Sequence, residues 1–189
     1  MTRIAVYCGA SKGRNRIYEN YALKLAEWIA AHHYQLVYGG GKVGLMGILA
    51  DAVLTGGGQV IGVMPQFLID REIANDRLNR LVVTKNMDER KQKMMALADC
   101  CVALPGGPGT LEEITEAFSW ARVGQNDNPC VFLNVNGYYN LLRSFFDQMV
   151  TEGFLSSADR SKLLFTDQFD RIDHFIETYI PPRTRRYTR

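Results

Sequence analysis

Short apolar runs alternate with longer amphipathic runs along almost the whole chain, and no other feature constrains its fold as tightly. Nearly continuous apolar runs of about four to eight residues are typical of strands buried on both faces, and the longer runs are typical of helices. The pattern therefore predicts an α/β fold, a Rossmann-like doubly wound parallel sheet flanked by helices on both faces. We expect one domain over residues 1–189, because this length suits a single core.

The predicted elements indicate where a site should lie. Strands are predicted at residues 3–8, 35–38, 59–64, 81–84, 101–104, 130–134 and 163–165. Helices are predicted at residues 17–32, 44–55, 87–98, 111–123, 138–152 and 169–179. Ligands of parallel sheets bind beyond the carboxyl ends of the strands, so the loops that leave those ends are the expected place for chemistry.

Composition and charge narrow the class of protein. The chain is 47% hydrophobic and 22% charged, as ordinary globular proteins are, and its formal net charge is +2. Much of this positive charge lies in residues 181–189, which we expect to form a solvated basic tail. Because the sequence predicts no basic stripe along a folded face, no nucleic-acid partner is expected.

The sequence also bears on the compartment. It reaches its first strand without a signal peptide, and no apolar run approaches the ~18 residues of a membrane span. A cytoplasmic protein without a membrane partner is therefore expected. Its four cysteines are spaced for neither a disulfide framework nor zinc, so reduced core thiols are predicted, and neither a metal site nor a cofactor is expected.

Three loops after predicted strands are rich in glycine: residues 8–13 (CGASKG), 39–47 (GGGKVGLMG) and 105–113 (PGGPGTLEE). Glycine lets backbone N–H groups approach an anion, and the helix that follows adds its positive end. These loops are predicted to open onto one edge of the sheet. We therefore favour a phosphate cradle, in which their backbone N–H groups surround a phosphate, over the alternative that the glycines only close tight turns. The residues expected to support this cradle are Ser11, Gly40, Gly41, Gly44, Met46, Gly47 and Gly106.

The second loop fits neither common nucleotide-binding motif. Its glycines match the GxGxxG spacing of dinucleotide-binding proteins only loosely, and residues 58–64 offer no carboxylate for a ribose. A Walker A loop requires Lys followed by Ser or Thr after its last glycine, which this loop lacks. A dinucleotide or a nucleoside triphosphate is therefore disfavoured as the ligand.

The loop at residues 105–113 carries the most detailed expectations. Thr110 is predicted to cap the helix that follows it and to donate a hydrogen bond to a phosphate oxygen. Glu113 then stands one turn into that helix, close to the ligand. Because Pro108 has no N–H, phosphate affinity is expected to depend on Gly107, Gly109 and Thr110.

These motifs resemble those of a known family. The segments YCGAS (7–11), GGGKVGLMG (39–47), MDERK (87–91), PGGPGTLEE (105–113) and FLNVNGYYNLL (132–142) are similar, in the same order, to those of the LOG family. That family comprises cytokinin riboside 5'-monophosphate phosphoribohydrolases once labelled lysine decarboxylase-like. The resemblance implies a homodimeric enzyme that hydrolyses a purine, adenine-type, nucleoside 5'-monophosphate to the free base and ribose 5-phosphate.

The resemblance also implies roles for individual residues. The catalytic pair would be Arg90 and Glu113. The substrate contacts would be Glu72, Lys91, Gly107, Pro108, Gly109, Thr110, Leu111, Glu112 and Ser119.

The implied reaction gives this pair a chemical rationale. Cleavage of an N-glycosidic bond builds positive charge on the sugar, which a nearby carboxylate stabilises. Glu113 would supply that carboxylate, either directly or by activating water, and Glu116 lies one turn further on the same helical face as a supporting group. Arg90 would position the substrate, because its guanidinium donates in a fixed fork.

Three alternatives stay open at this point. In the first, Arg90 and Glu113 form only a structural ion pair on the surface. In the second, the same phosphate cradle belongs to a nucleotide sensor that does not turn its ligand over. In the third, the chain is a pyridoxal-phosphate decarboxylase with Lys42 or Lys91 as the Schiff-base lysine, although the sequence offers the decarboxylase label no support.

Apolar residues on the predicted helices suggest a homodimer. They make more apolar helix surface than one small domain needs, and such surface often marks a subunit interface. This surface comprises Met94, Met95, Leu97, Phe118 and Trp120. We expect the partner subunit to help close the site. For Tyr138 and Tyr139, packing in the core or the dimer is favoured over contact with a base.

Overall fold

The computed structural model describes residues 1–71 and 73–184, and its strands form one parallel sheet. The strands are β1 (Arg3–Tyr7), β2 (Gln35–Tyr38), β3 (Gln59–Pro65), β4 (Arg80–Thr84), β5 (Cys100–Ala103), β6 (Cys130–Leu133) and β7 (Leu163–Thr166). Their order across the sheet is β4-β3-β2-β1-β5-β6-β7. After β1 the chain builds outward to β4, then returns to place β5 beside β1, so a crevice opens beyond the carboxyl ends of these two central strands.

Helices cover both faces of this sheet, as the alternating pattern predicts. They are α1 (Ile17–Ala31), α2 (Gly44–Thr55), α3 (Gln66–Ile69), α4 (Met87–Leu97), α5 (Pro108–Arg122), α6 (Asn140–Thr151), α7 (Ser157–Arg160) and α8 (Phe169–Thr178), with a 3-10 turn at Val135–Gly137. Buried side chains of α1, α2 and α8 form one core cluster. Buried side chains of α4, α5 and α6 form a second cluster on the opposite face. The doubly wound α/β prediction is confirmed.

The central strands show why both faces must be covered. Ile4 and Val6 of β1 belong to one core cluster, and Ala5 and Tyr7 belong to the other. Successive side chains of a strand point to opposite faces, so a strand buried on both sides has to be apolar throughout. The four cysteines lie in this interior as free thiols, as predicted.

Helix α5 begins three residues earlier than the sequence predicts. Gly107 is its N-cap residue and Pro108 is its first helical residue, a position that suits proline because no intrahelical N–H bond is needed there. The expectation that Thr110 caps the helix is therefore wrong, since Thr110 lies inside the first turn. The helix predicted over residues 138–152 begins instead at Asn140, after the 3-10 turn.

The apolar surface expected to form a dimer interface is mostly internal. Met94, Met95 and Phe118 are buried in the core cluster that α4 and α5 form against the sheet. Leu97 and Trp120 are partly buried against the same cluster. That part of the sequence reasoning is wrong, because an amphipathic pattern identifies an apolar face without identifying what covers it.

The described end of the chain is only partly exposed. Of the expected basic tail, Pro181 is partly buried, Pro182 is buried, and Arg183 and Thr184 are exposed, whereas residues 185–189 lie outside the described residues. In the described chain, no helix combines the length and the apolar character that crossing a membrane requires.

We expect Met94→Ala to lower the free energy of unfolding by about 2–5 kcal/mol, because it empties a fully buried site in the α4 core. Urea denaturation followed by circular dichroism measures the loss. Gln92→Ala, an exposed change on the same helix, should stay within about 0.5 kcal/mol of the parent. A loss below about 1 kcal/mol for Met94→Ala would mean that this side chain contributes little to the core.

Candidate active site

A cavity of about 230 Å³ opens beyond the carboxyl ends of β1 and β5, at the expected edge of the sheet. The loop after β1, the start of α2, the first turns of α4 and the start of α5 all contribute to its wall. The lining residues are Cys8, Gly9, Ala10, Met46, Met87, Arg90, Gly107, Gly109, Thr110, Glu112 and Glu113. A second cavity of about 210 Å³ shares Gly107 with the first and reaches Ser11, Lys12, Gly106 and Tyr138.

A larger groove of about 760 Å³ lies elsewhere, between α7, the end of α6 and residues 180–183. Among its described lining residues one is acidic, Asp159, and its carboxylate already accepts a hydrogen bond from Arg122 Nε at 3.1 Å. The smaller cavity at the switch point of the sheet combines free backbone donors with a buried charged pair, so it is the better candidate for chemistry.

The start of α5 forms an anion-binding surface in the cavity. Pro108 has no N–H, and the N–H of Leu111 already donates to the Gly107 carbonyl at 3.2 Å. The N–H groups of Gly109 and Thr110 therefore belong to the first turn, where no intrahelical acceptor is within reach. Together with the positive end of the helix dipole, they suit a phosphate group.

The glycines of the cradle allow three loops to meet in close contact. Gly44 has a φ of +64°, and a Cβ there would overlap the backbone of Ala10. Beside this contact the N–H of Leu45 donates to the Gly9 carbonyl at 3.1 Å, and the N–H of Gly9 donates to the Pro105 carbonyl at 3.2 Å. These bonds hold the loops that follow β1, β2 and β5 in one unit.

Arg90 and Glu113 form a buried ion pair at the base of the cavity. Arg90 Nη2 lies 3.2 Å from Glu113 Oε1, and the two side chains are 11% and 9% exposed. Burial raises the pKa of Glu113 to about 7, and the Arg90 charge opposes this rise. The expectation of a mere surface ion pair does not describe these two residues, because both are withdrawn from solvent.

The guanidinium of Arg90 is held from two sides, and its Nε is left for a ligand. Its Nη1 lies 3.6 Å from the sulfur of Met87, and a Cβ at Gly39 would overlap its Nη2 atom. Within residues 1–71 and 73–184, the buried Nε of Arg90 has no hydrogen-bond acceptor. Buried donors are rarely left without a partner, so this N–H is well suited to a ligand in the cavity.

Lys91 is not among the residues that line the cavity. Its ammonium lies 2.8 Å from Glu112 Oε1 and 2.9 Å from Glu116 Oε2, which are both on α5. The Lys91 ammonium donates to these two carboxylates, and both contacts raise the pKa of Lys91, with Glu112 as the larger cause. A Schiff-base lysine must lose its proton to react, and these two carboxylates stabilise the protonated form of Lys91.

The residues expected at the site divide into those that line one of the two cavities, those that lie outside both linings, and one that the structure does not describe. Those that line the first cavity are Met46, Arg90, Gly107, Gly109, Thr110, Glu112 and Glu113, and those that line the adjoining one include Ser11 and Gly106. Those outside both linings are Gly40, Gly41, Gly44, Gly47, Lys91, Pro108, Leu111, Glu116 and Ser119. Leu111 and Ser119 are exposed on α5, and Glu72 lies outside the described residues.

Sequence reasoning missed several residues that shape the site. Cys8 and Met87 line the cavity, although the sequence motifs mark neither as a site residue. Tyr138 is 46% exposed and its hydroxyl donates to the Gly106 carbonyl at 2.7 Å, whereas Tyr139 is buried as expected and donates to the Leu104 carbonyl. Cys8 directly follows β1, and Met87 lies one turn before Arg90 on α4, so these positions in the sequence could have identified both as site residues.

The fold and the site together define a class of protein: a doubly wound α/β protein with an anion-binding helix start and a buried glutamate–arginine pair at the switch point of its sheet. A family model described as "possible lysine decarboxylase" matches residues 46–174. Cytokinin riboside 5'-monophosphate phosphoribohydrolase LOG1 of Arabidopsis thaliana is 41% identical over 179 residues, which cover 95% of this chain and 84% of that protein. LOG5 of the same plant is 40% identical over 95% of this chain and 78% of its own. The chain belongs to the LOG family.

Solved structures agree with this fold. The molybdenum cofactor carrier protein of Chlamydomonas reinhardtii superposes with a TM-score of 0.71 at 22% identity, over 93% of this chain and 96% of that one. The molybdenum cofactor binding protein of Rippkaea orientalis superposes with a TM-score of 0.66 at 18% identity, over 94% and 96% of the two chains. At these identities the likeness shows the shared fold alone.

We expect Glu113 to titrate near pH 7, far above exposed glutamates, because burial disfavours its charged form. Carboxyl ¹³C NMR of the labelled protein measures this, with Glu113→Gln identifying the signal. Arg90→Met should move the midpoint higher still, because Arg90 is the neighbour that most lowers the pKa of Glu113. A midpoint below about pH 5 in the parent protein would contradict this expectation, because burial would then not outweigh the Arg90 charge.

Proposed function

We propose that this protein is a phosphoribohydrolase that cleaves the N-glycosidic bond of cytokinin riboside 5'-monophosphates, and of AMP, to release the free base and ribose 5-phosphate. The observation that carries the proposal is the buried pair of Arg90 and Glu113 beside the anion-binding start of α5. The names of the LOG relatives support the same reaction. LOG1 and LOG5 are about 40% identical to this chain over 95% of its length.

The reaction needs three things from the protein, and the cavity offers a group for each. The 5'-phosphate would accept hydrogen bonds from the N–H groups of Gly107, Gly109 and Thr110 at the start of α5. The sugar would then lie over Glu113, on the same helix and one turn deeper. As the C1'–N bond breaks, the positive charge that develops on the sugar would face the Glu113 carboxylate.

Water completes the reaction. Its oxygen forms the new bond to C1' while the electron pair of the broken bond goes to the base nitrogen. One proton of the water ends on the departing base, and the hydroxyl stays on the sugar as ribose 5-phosphate. Glu113 must be ionised either to stabilise the sugar or to orient this water, so its raised pKa makes the rate depend on pH around neutrality.

Arg90 has two roles in this proposal. Its Nη2 contact with Glu113 favours the ionised carboxylate and orients it in a buried place where an unpaired charge would be costly. Its Nε, which has no acceptor among the described residues, would donate to the substrate. The remaining contacts taken from the family motifs stay part of the proposal: Glu72, Pro108, Leu111, Glu112 and Ser119.

A homodimer and a cytoplasmic location are also part of the proposal. Exposed residues on α5, among them Leu111 and Ser119, can take part in the substrate site only if a second copy or a ligand covers that face. Met94 and Phe118 are internal and do not form part of that face. Four buried free thiols suit a reducing compartment.

The decisive experiment incubates the protein with AMP and with its N6-isopentenyl derivative and follows the free base by chromatography. We expect turnover of at least one of them, and Glu113→Gln and Arg90→Ala should each lower kcat by about 100-fold or more, because each removes a charge that acts on the transition state. Glu177→Gln, an exposed change on α8, is the matched control and should leave turnover unchanged.

The other outcomes are equally informative. If AMP binds but neither AMP nor its N6-isopentenyl derivative releases its base, the protein is a nucleotide sensor and the hydrolase proposal is wrong. If Glu113→Gln keeps its activity, the carboxylate that drives the reaction lies elsewhere, with Glu112 as the other acidic residue in the cavity wall.

A further inference from the structure

Lys91 is a buried lysine that bridges two helices next to the candidate catalytic pair. Its side chain is 9% exposed, and its ammonium contacts Glu112 and Glu116 of α5 at 2.8 and 2.9 Å. Asp88, one turn earlier on α4, lies at 3.7 Å. Burial of an ammonium is costly unless it is paired, so these contacts fix where α4 sits relative to α5.

The bridge runs alongside the Arg90–Glu113 pair. Lys91 directly follows Arg90 on α4, and Glu112 directly precedes Glu113 on α5. The same two helices are therefore joined by two adjacent sets of ionic contacts: Arg90 and Glu113 line the cavity, whereas in the other set Glu112 lines it and Lys91 and Glu116 lie outside the lining. A shift of one helix that broke the outer set would also change the separation of the inner pair.

We propose that Lys91 is a positioning residue: through Glu112 and Glu116 it ties α4 to α5 and so holds the Arg90 guanidinium against Glu113. This inference rests on the proposed function for its kinetic consequences. It differs from the role of substrate contact that the family motif implies for Lys91. To reach a nucleotide phosphate, the ammonium would have to leave two carboxylates that already bind it at hydrogen-bond distance.

The same contacts place fixed charges around Glu113. The groups that face it are Arg90 and Lys91 from α4, Glu112 and Glu116 from α5, Tyr7 at the end of β1, and Cys8 in the loop that follows. Lys91 lowers the pKa of Glu113, whereas Glu112 and Glu116 raise it. Loss of Lys91 would leave two carboxylates uncompensated beside a third, so Glu113 would be protonated over a wider range of pH.

The test compares Lys91→Met with Glu116→Gln in the full-length protein. We expect Lys91→Met to move the ¹³C titration midpoint of Glu113 and the ascending limb of the kcat profile to higher pH. Glu116→Gln should move both to lower pH, because it removes a negative charge while the bond between Lys91 and Glu112 remains. At pH 7, Lys91→Met should lower kcat by about tenfold while KM for AMP changes less than about threefold.

Two further variants serve as controls. Lys91→Arg keeps the positive charge between the two carboxylates and should restore most of kcat and the parental Glu113 midpoint. Lys93→Met removes the same charge from an exposed position on α4, where no carboxylate lies at ion-pair distance among the described residues. It should leave the Glu113 midpoint and both kinetic constants unchanged.

Several outcomes would overturn the inference. If Lys91→Met raises KM many-fold and leaves the Glu113 midpoint in place, Lys91 is a substrate ligand. If the two variants move the midpoint in the same direction, or neither moves it, the cluster does not act on Glu113. The NMR titration needs no turnover, so it tests the role of Lys91 even if the protein proves to be no hydrolase. If Lys91→Met does not fold, the shift in Glu116→Gln still decides.

Discussion

The contact between Arg90 and Glu113 is the interaction on which the rest of this site depends. A carboxylate this deeply buried is costly without a partner, and the guanidinium both lowers that cost and fixes the direction of the carboxylate. The pair exists because α4 and α5 pass each other above the ends of β1 and β5, and because Gly39 has no side chain to displace the guanidinium. Burial leaves Glu113 poised between its two protonation states near neutral pH.

The order of the strands explains why this pair meets an anion-binding surface. The order in which strands are added reverses between β1 and β5, so a cavity opens beyond their carboxyl ends, and the loops that follow both strands contribute to its wall. The glycines let the neighbouring loops close around that crevice, and the first turn of α5 directs its N–H groups into it. If a phosphate binds at the start of α5 as we propose, the helix itself sets the distance between that phosphate and the Glu113 carboxylate one turn deeper.

The sequence predicted the strands, the order of the elements along the chain and the glycine-rich loops, because apolar periodicity and glycine act locally. It also predicted Arg90 and Glu113 as partners, although only through the family motifs. It did not predict that Met94 faces the sheet rather than a second subunit, since an apolar stripe is the same in both cases. The burial of Lys91 between two α5 carboxylates was equally hidden, because it depends on how two distant helices cross.

The most direct test of the central claim is a crystal structure of the Glu113→Gln protein with bound AMP. We expect the phosphate to accept hydrogen bonds from the first turn of α5, and C1' of the ribose to lie within about 3.5 Å of the amide side chain at position 113. A nucleotide whose phosphate lies away from α5, or whose anomeric carbon points away from residue 113, would contradict it.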